Sequence, residues 1–244
     1  MFRKVWTQSQ FSPSAADEPD ALTSLFPADV VVVARRSPGD PADLMPAEAV
    51  HLAKAVPKRI NEFAAGRACA RAALATFGVT GFALHVAPDR QPLWPADYVG
   101  SITHTAGLCV AAVAPRSRLR ALGLDSERTG APTLDIWPTI CRIEELAWVE
   151  SLPSRLRAAA VTLLFSAKEA FYKCQYPVTA EWLDFHDLSI AAPDWGQARG
   201  RFLVTPMRAI RFAQLAPFPL VGRYTFHEEF VSTGVALEVR SPRV

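Results

Sequence analysis

The sequence predicts an α+β protein in which each half of the chain carries a long helix followed by strands. Two segments, near residues 57–76 and 154–176, repeat apolar residues at helical spacing. Short apolar or alternating runs follow each of them and are separated by turns rich in glycine and proline. With 244 residues, the chain suits one large domain or two of about 120 residues each.

The composition is that of a soluble globular protein, with 50% hydrophobic residues, 20% charged residues and a net charge of +2. This balance lacks the basic surface that nucleic acid or an anionic membrane would require. The four cysteines are far apart and form no CxxC pair, so we expect free thiols in a reducing compartment. We find no signal peptide and no apolar run long enough to span a bilayer, and therefore expect a cytoplasmic protein without a transmembrane segment.

In the first half, strands are predicted at residues 30–34, 82–86 and 108–114, with a further strand from residue 100. A helix should begin near Pro46 or Pro57 and run to about Thr76. Two prolines and a tryptophan give residues 89–95 the character of a loop of fixed shape.

The predicted helix carries arginines on its apolar face. Arg67 and Arg71 share the meridian of the apolar residues Phe63 and Leu74, and Arg59 lies about 80° from Arg67. An inward guanidinium needs either a buried carboxylate or a bound phosphate. The residues alone leave both possibilities open.

His104 stands between Thr103 and Thr105, at the polar tip that follows the strand from residue 100. Small hydroxyls and an imidazole on a loop can hydrogen-bond phosphate oxygens. A structural or surface histidine is the alternative interpretation.

The second half opens with an apolar strand, residues 121–127, that ends in Asp125 and Glu127. Side chains alternate along a strand, so the two carboxylates should share one face at a distance of about 7 Å. Such a pair either binds a cation such as Mg²⁺ together with phosphate oxygens, or is a solvated strand end.

The helix predicted at residues 154–176 carries Lys168, Glu169 and Lys173. Lys168 falls on the apolar side of the helix, whereas Glu169 and Lys173 form an i,i+4 pair at its edge. Because an unpaired buried ammonium is costly, an anionic group should meet Lys168, unless the side chain extends to solvent. Shorter strands follow near residues 188–191, 201–204, 220–226 and 235–239.

Three carboxylates, several inward cations and a polar histidine loop are together typical of a Mg²⁺-assisted site for phosphate chemistry. The sequence contains neither a Walker loop nor a G-x-G-x-x-G motif, so nucleotide binding through those motifs is not indicated.

Two segments in this combination resemble the 4′-phosphopantetheinyl transferases. The first is Gly123-Leu124-Asp125-Ser126-Glu127, and the second begins 38 residues later as Phe165-Ser166-Ala167-Lys168-Glu169. The basic helix 58–74, the loop 92–95 and the segment 100–104 are similar to further motifs of the family. The resemblance covers roughly residues 55–180 and is nearest to the large monomeric, surfactin-type branch, especially the enterobactin synthase component D group. It departs at Ser126, where an apolar residue is common in that branch, and at Asp89-Arg90, where lysine or glycine usually precedes the loop.

The resemblance implies a reaction and a partner. The phosphopantetheine arm of coenzyme A would move to a serine of an apo carrier protein (acyl, peptidyl or aryl), with Mg²⁺ as cofactor and 3′,5′-ADP as product. The alternatives are a coenzyme-A-binding module without turnover and another Mg²⁺-dependent phosphotransfer enzyme. Nucleic acid is not expected as a partner.

The resemblance also implies roles for individual residues. Asp125, Glu127 and Glu169 would bind Mg²⁺, with Asp125 also contacting the coenzyme A pyrophosphate, and Lys168 and Lys173 would contact phosphate. Glu169, or a metal-bound water that it orients, would accept the serine proton, and Lys173 would stabilise the leaving group. The remaining expected coenzyme A ligands are Arg59, Arg67, Arg90, Thr103 and His104.

For the fold, the resemblance implies a monomer of two similar α/β halves related by a pseudo-twofold axis. Each half would pack a long helix on a small antiparallel sheet, with the active site between the halves. We expect the boundary between residues 117 and 118, so that residues 1–117 carry the basic helix and residues 118–244 carry the acids.

Overall fold

A computed structural model describes residues 18–36 and 38–239 of the chain. Six α-helices lie in this part: α1 (Glu18–Thr23), α2 (Pro46–Ala49), α3 (Pro57–Ala75), α4 (Trp137–Ile140), α5 (Ile143–Ser151) and α6 (Ser154–Thr179). Eight strands accompany them: β1 (Val31–Arg35), β2 (Tyr98–Thr105), β3 (Leu108–Pro115), β4 (Leu119–Arg128), β5 (Leu188–Ala191), β6 (Arg199–Pro206), β7 (Leu220–His227) and β8 (Phe230–Glu238).

The strands form two antiparallel sheets. The first has the order β1-β3-β2, and the second has the order β4-β8-β7-β6-β5. Helix α3 packs on the first sheet and α6 on the second. The predicted α+β class, with a long helix on an antiparallel sheet in each half, is confirmed, although the second sheet has two more strands than the first.

The two largest apolar clusters contain most of the buried hydrophobic residues of the described chain. The larger lies between α6 and the second sheet and includes the fully buried Phe171, Phe202 and Phe212. The other contains side chains from both sheets, with Leu22 and Phe26 packed beside Leu124 and Phe230. Because residues near the start of the described chain pack on strands of the second sheet, the two halves share part of their core.

β2 and β4 join the two sheets through side chains. Ser101 Oγ accepts a hydrogen bond from Leu124 N at 3.0 Å, and Thr103 Oγ1 accepts one from Ser126 N at 3.3 Å. The contacts advance by two residues along both strands, so β2 and β4 run parallel. The predicted boundary at residue 117 falls in the turn between β3 and β4.

The prediction of a strand at residues 82–86 is wrong. The segment makes only an isolated bridge between Val86 and Pro92. The backbone N–H of Leu84 donates to Glu48 Oε1 at 3.0 Å, and its carbonyl accepts from Arg67 Nε at 2.9 Å. Buried side chains therefore satisfy the backbone groups that a neighbouring strand would otherwise bind.

The second long helix continues past its predicted end. Pro177 lies in its last turn, and the helix ends at Thr179. Ala180 caps this end in a left-handed conformation with φ of 49° and donates its N–H to the Tyr176 carbonyl. A proline so close to the end removes a single backbone donor from the last turn, so the helix need not stop before it. Within the described residues, no helix is both long and apolar enough to cross a membrane.

Candidate active site

A cavity of about 730 Å³ lies between the two halves. α3, the loop after residue 85 and β2 supply its walls from the first half, and β4 and α6 supply them from the second. Nine of the ten predicted site residues line it, namely Arg59, Arg67, Arg90, Thr103, His104, Asp125, Glu127, Glu169 and Lys173. Lys168 does not line it.

The hydroxyls of β2 hold the carboxylates of β4. Thr103 Oγ1 donates to Asp125 Oδ1 at 3.1 Å, and Thr105 Oγ1 lies 3.4 Å from Glu127 Oε2. Strand alternation directs Asp125 and Glu127 to the same side of β4, as the sequence predicted. The first half of the chain therefore positions the acids that the second half supplies.

Gly123 allows α6 to approach these acids. A Cβ atom at this position would overlap the backbone carbonyl oxygen of Ala170. Without a side chain, β4 and α6 lie in direct backbone contact, and Glu169 reaches the same cavity as Asp125.

Lys173 is the cation at the centre of the acidic group. Its Nζ donates to Asp125 Oδ1 at 2.6 Å and lies 3.5 Å from Thr103 Oγ1. Burial lowers the pKa of Lys173, but the attraction and hydrogen bond of Asp125, with the charges of Glu169 and Glu127, raise it overall. Lys173 therefore remains a cation in the site.

Burial makes the other two acids less acidic. It raises the pKa of Glu127 to about 7, with a further increase from the charge of Asp125. Burial also raises the pKa of Glu169, while nearby Lys173 opposes the shift. Carboxylates with raised pKa values in a cavity are typical of functional sites.

The acidic group fits a metal ion shared with a ligand. Asp125 Oδ2 is buried and has no hydrogen-bond partner in the described chain, which is unusual for a carboxylate oxygen. Within residues 18–36 and 38–239, no three His, Cys, Asp or Glu side chains converge closely enough to form a metal cage of protein groups alone. Mg²⁺ commonly uses one or two carboxylates and completes its shell with phosphate oxygens and water. Among Asp125, Glu127 and Glu169, one or two carboxylates in direct contact with the ion would match that mode of binding.

Arg59 and His104 form the basic part of the cavity. Arg59 Nη1 donates to His104 Nε2 at 2.6 Å, while His104 Nδ1 lies 3.8 Å from Glu62 Oε2. The accepting Nε2 places the imidazole proton on Nδ1. Burial, with the charge of Arg59, lowers the pKa of His104, so the ring is neutral and Arg59 carries the positive charge.

Arg67 is the buried cation of α3. Its Nε donates to the Leu84 carbonyl at 2.9 Å, and its guanidinium lies 4.0 Å from the centre of the Phe63 ring. Burial lowers the pKa of Arg67 to about 10. Arg90, on the facing loop, adopts a left-handed backbone conformation with φ of 72°.

The guanidinium of Arg71 meets a buried carboxylate of the protein, which is one of the two partners expected for an inward arginine. It pairs with Glu48, which is fully buried and also accepts hydrogen bonds from Met45 N and Leu84 N, each at 3.0 Å. Glu48 lies 23 residues before Arg71 and outside the predicted motifs, so no local sequence signal connects the two.

The structure corrects the predicted role of Lys168 as a phosphate ligand. It is 1% exposed, and its Nζ donates to Glu145 Oε2 at 2.6 Å and to the Ile140 carbonyl at 2.8 Å. The anionic group that meets this lysine is therefore a carboxylate of the protein. Since Lys168 faces α4 and α5 and not the cavity, we withdraw it from the expected phosphate ligands.

The two halves repeat this buried pair. Glu145 accepts from Arg142 N at 2.8 Å and from Ile190 N at 2.7 Å, as Glu48 accepts from two backbone N–H groups of the first half. Both acids stand at the third position of a short helix and cap its first turn. Arg71 and Lys168 each lie 14 residues after the first residue of their long helices. The likeness between the halves therefore extends to a buried ion pair.

Sequence reasoning also missed an aromatic wall of the cavity. Tyr172 stacks on Tyr176 with ring centres 5.2 Å apart, and Trp182, 74% exposed, lies 5.7 Å from Tyr172. On a helical wheel Tyr172 falls on the apolar side of α6, beside Phe171. The turn after Pro177 brings Trp182 back beside it, and helical periodicity cannot predict that turn.

Two family models match this chain, one in each half. Residues 47–114 match the 4′-phosphopantetheinyl transferase N-terminal domain, and residues 121–226 match the 4′-phosphopantetheinyl transferase superfamily. The chain belongs to the 4′-phosphopantetheinyl transferases. The family resemblance of the motifs is confirmed, and the protein is an enzyme of this type.

Individual relatives support the assignment across most of the transferase. This chain is 38% identical over 204 residues to the 4′-phosphopantetheinyl transferase Svp of Streptomyces mobaraensis, and the match covers 82% of each chain. The 4′-phosphopantetheinyl transferase PptT of Mycobacterium tuberculosis is 35% identical over 206 residues, covering 81% of this chain and 88% of the relative. Enterobactin synthase component D of Salmonella typhi is 38% identical over 120 residues, or 48% of each chain.

Proposed function

We propose that this transferase moves the 4′-phosphopantetheine arm of coenzyme A to a serine of an apo carrier protein and releases 3′,5′-ADP. One observation carries the proposal: a single cavity between the halves is lined both by cations of α3 and by carboxylates of β4 and α6. Its volume of about 730 Å³ is within the range of cofactor-sized sites. A polyphosphate ligand that carries a further phosphate requires several cationic groups in one cavity, and Arg59, Arg67 and Lys173 supply them.

We propose Mg²⁺ as the cofactor, held by Asp125, Glu127 and Glu169. The unpaired buried oxygen of Asp125 and the raised pKa values of the other two acids support this assignment. When bound, the ion would neutralise charge on the pyrophosphate oxygens.

The cations of the chain bind and orient coenzyme A. Lys173 faces the pyrophosphate and stabilises the charge that develops on the leaving group. Arg59, assisted by the neutral His104, binds the phosphate at the other end, and Arg67 and Arg90 complete that wall. Thr103 holds Asp125 in place through its hydroxyl and lies close to the same phosphates.

Glu169 accepts the proton from the carrier serine. The raised pKa that burial gives this carboxylate makes it a stronger base than an exposed glutamate. The serine Oγ forms a bond to the β-phosphorus of coenzyme A, and the bond from that phosphorus to the bridging oxygen breaks. The departing 3′,5′-ADP keeps that electron pair and is stabilised by Lys173.

We further propose that the enzyme is a cytoplasmic monomer of the large, surfactin-type branch. Two helix-on-sheet halves within one chain support the branch and the monomer. Four buried free cysteines support a reducing compartment. A position near the enterobactin synthase component D group rests on the motif series and on similarity over about half of each chain.

The experiment is a transfer assay with defined products. The purified protein is incubated with coenzyme A, Mg²⁺ and a panel of apo carrier proteins, and both carrier mass and released 3′,5′-ADP are measured. We expect one phosphopantetheinyl group per carrier, equimolar 3′,5′-ADP, no reaction after chelation by EDTA and none with a carrier whose serine is replaced by alanine. Tight coenzyme A binding with no transfer to any carrier would instead indicate a binding module.

A further inference from the structure

Ser126 stands between the two acids of β4 but points to the opposite side of the strand. It is fully buried, and its Oγ lies 2.7 Å from Ser232 Oγ on β8. Ser232 Oγ in turn lies 2.9 Å from His227 Nε2 at the end of β7. Three buried polar side chains therefore form a continuous hydrogen-bonded chain behind the candidate metal site.

This chain crosses the three adjacent strands β4, β8 and β7. Ser126 is paired with Ser232 in the register of β4 and β8, and Ser232 is paired with Thr225 in that of β8 and β7. On its other edge, Ser126 donates its backbone N–H to Thr103 Oγ1 at 3.3 Å. The residue between the two acids is thus held from β2 on one side and from β8 and β7 on the other.

The surroundings show why the hydroxyl needs this chain. Leu124 and Phe230, on the same face of the sheet, belong to the apolar core shared by the two halves. A hydroxyl buried among such residues is costly unless it is hydrogen-bonded. An apolar residue at position 126 would avoid that cost. The presence of a serine there is therefore explained by the groups that its hydrogen bonds hold in place.

We propose that Ser126, Ser232 and His227 form a positioning network that fixes Asp125 and Glu127 for divalent-cation binding. The inference rests on the proposed function. None of the three lines the cavity, so they act through the backbone of β4 and not by contact with coenzyme A. Substitution of a residue that contacts a metal ligand typically lowers metal affinity by about 10–100-fold. Because the network acts through the β4 backbone and not on the ligands directly, we expect a smaller loss of about threefold to tenfold.

The test measures metal binding without turnover. Mn²⁺ is titrated into the coenzyme A complex of the full chain without a carrier protein, and free Mn²⁺ is followed by its paramagnetic resonance signal. We expect Ser126→Ala and Ser232→Ala each to weaken Mn²⁺ binding by about threefold to tenfold. The double variant should lose no more than the worse single variant, because the two hydroxyls share one bond.

Thr225→Val is the matched control. Thr225 lies beside Ser232 in the same buried row, but its Oγ1 has no hydrogen-bond partner in the described residues. We expect its Mn²⁺ affinity to equal that of the parent. Thermal unfolding of each variant shows whether it is folded at the assay temperature, and Ser232→Ala tests the network should Ser126→Ala fail to fold.

The possible results separate this inference from the proposed function. Parent-like Mn²⁺ affinity in both folded serine variants would overturn the network, as would an equal loss in Thr225→Val. A parent protein that transfers the arm but binds no Mn²⁺ would contradict the proposed metal site and the network together.

Discussion

Among the cations of α3 that line the cavity, Arg59 is the one most available to an anionic ligand. It is half exposed, faces the cavity and has neutral His104 as its hydrogen-bond partner. Within residues 18–36 and 38–239, the carboxylate oxygen nearest to it belongs to Glu62, 4.0 Å away. Arg71, by contrast, is committed to buried Glu48. Two arginines of one helix therefore have different roles.

Replacing Arg59 with alanine should weaken coenzyme A binding. A hydrogen bond to a charged group contributes about 1.5–3 kcal/mol, so we expect the KM for coenzyme A to rise about tenfold to a hundredfold. Steady-state kinetics with varied coenzyme A measures this. Lys58→Ala is the control, because Lys58 is the adjacent cation, 80% exposed and outside the cavity wall. Equal effects of the two changes would show that only net charge matters.

Lys168 shows the limit of predicting the partner of a side chain from sequence alone. The helical wheel placed Lys168 on the apolar side of α6, and it is buried there. The pattern could not say whether its partner was a bound phosphate or a carboxylate, because Glu145 comes from another helix 23 residues away. Asp125, Glu127 and Glu169 were easier to bring together, since strand alternation and helix periodicity each fix a direction.

At the scale of elements, each long helix forms an ion pair with a buried glutamate of the preceding short helix. Glu145 binds Lys168 and two backbone N–H groups, so its carboxylate is fully hydrogen-bonded. Through Lys168 the pair joins α6 to α4 and α5 directly beside Glu169, the next residue along the helix. A buried pair of this kind defines geometry more than it adds net stability.

Lys168→Met should destabilise the fold without removing a coenzyme A ligand. The change leaves the buried Glu145 carboxylate without its cation, which typically costs about 3–5 kcal/mol. Urea unfolding measures the loss, and calorimetric titration of the folded variant should give nearly the parent affinity for coenzyme A. Lys168→Arg should retain more stability than Lys168→Met, since the equivalent cation of the first half is Arg71.

Lys173→Met is the matched change on the same helix. Its ammonium faces the cavity, so this variant should bind coenzyme A more weakly than Lys168→Met does. If Lys168→Met kept its stability and lost coenzyme A affinity instead, the assignment of Lys168 to the ion pair would be wrong.

At the scale of the molecule, the site depends on how the two sheets meet. The elements were largely predictable, because apolar periodicity and turn residues act locally. The meeting of β2 and β4 was not, because hydroxyls of Ser101 and Thr103 join the strands through contacts more than 20 residues apart in sequence. The strand predicted at residues 82–86 failed for a similar reason, since distant Glu48 and Arg67 bind its backbone.

The central claim is that the cavity between the halves transfers the arm, with Glu169 as proton acceptor. The most direct test is the intact mass of one apo carrier after incubation with coenzyme A, Mg²⁺ and either the parent or Glu169→Gln. We predict full addition of one phosphopantetheinyl group by the parent and by the exposed-acid control Glu144→Gln, and a rate about 10²–10⁴-fold lower for folded Glu169→Gln. Parent-like transfer by Glu169→Gln would contradict the account.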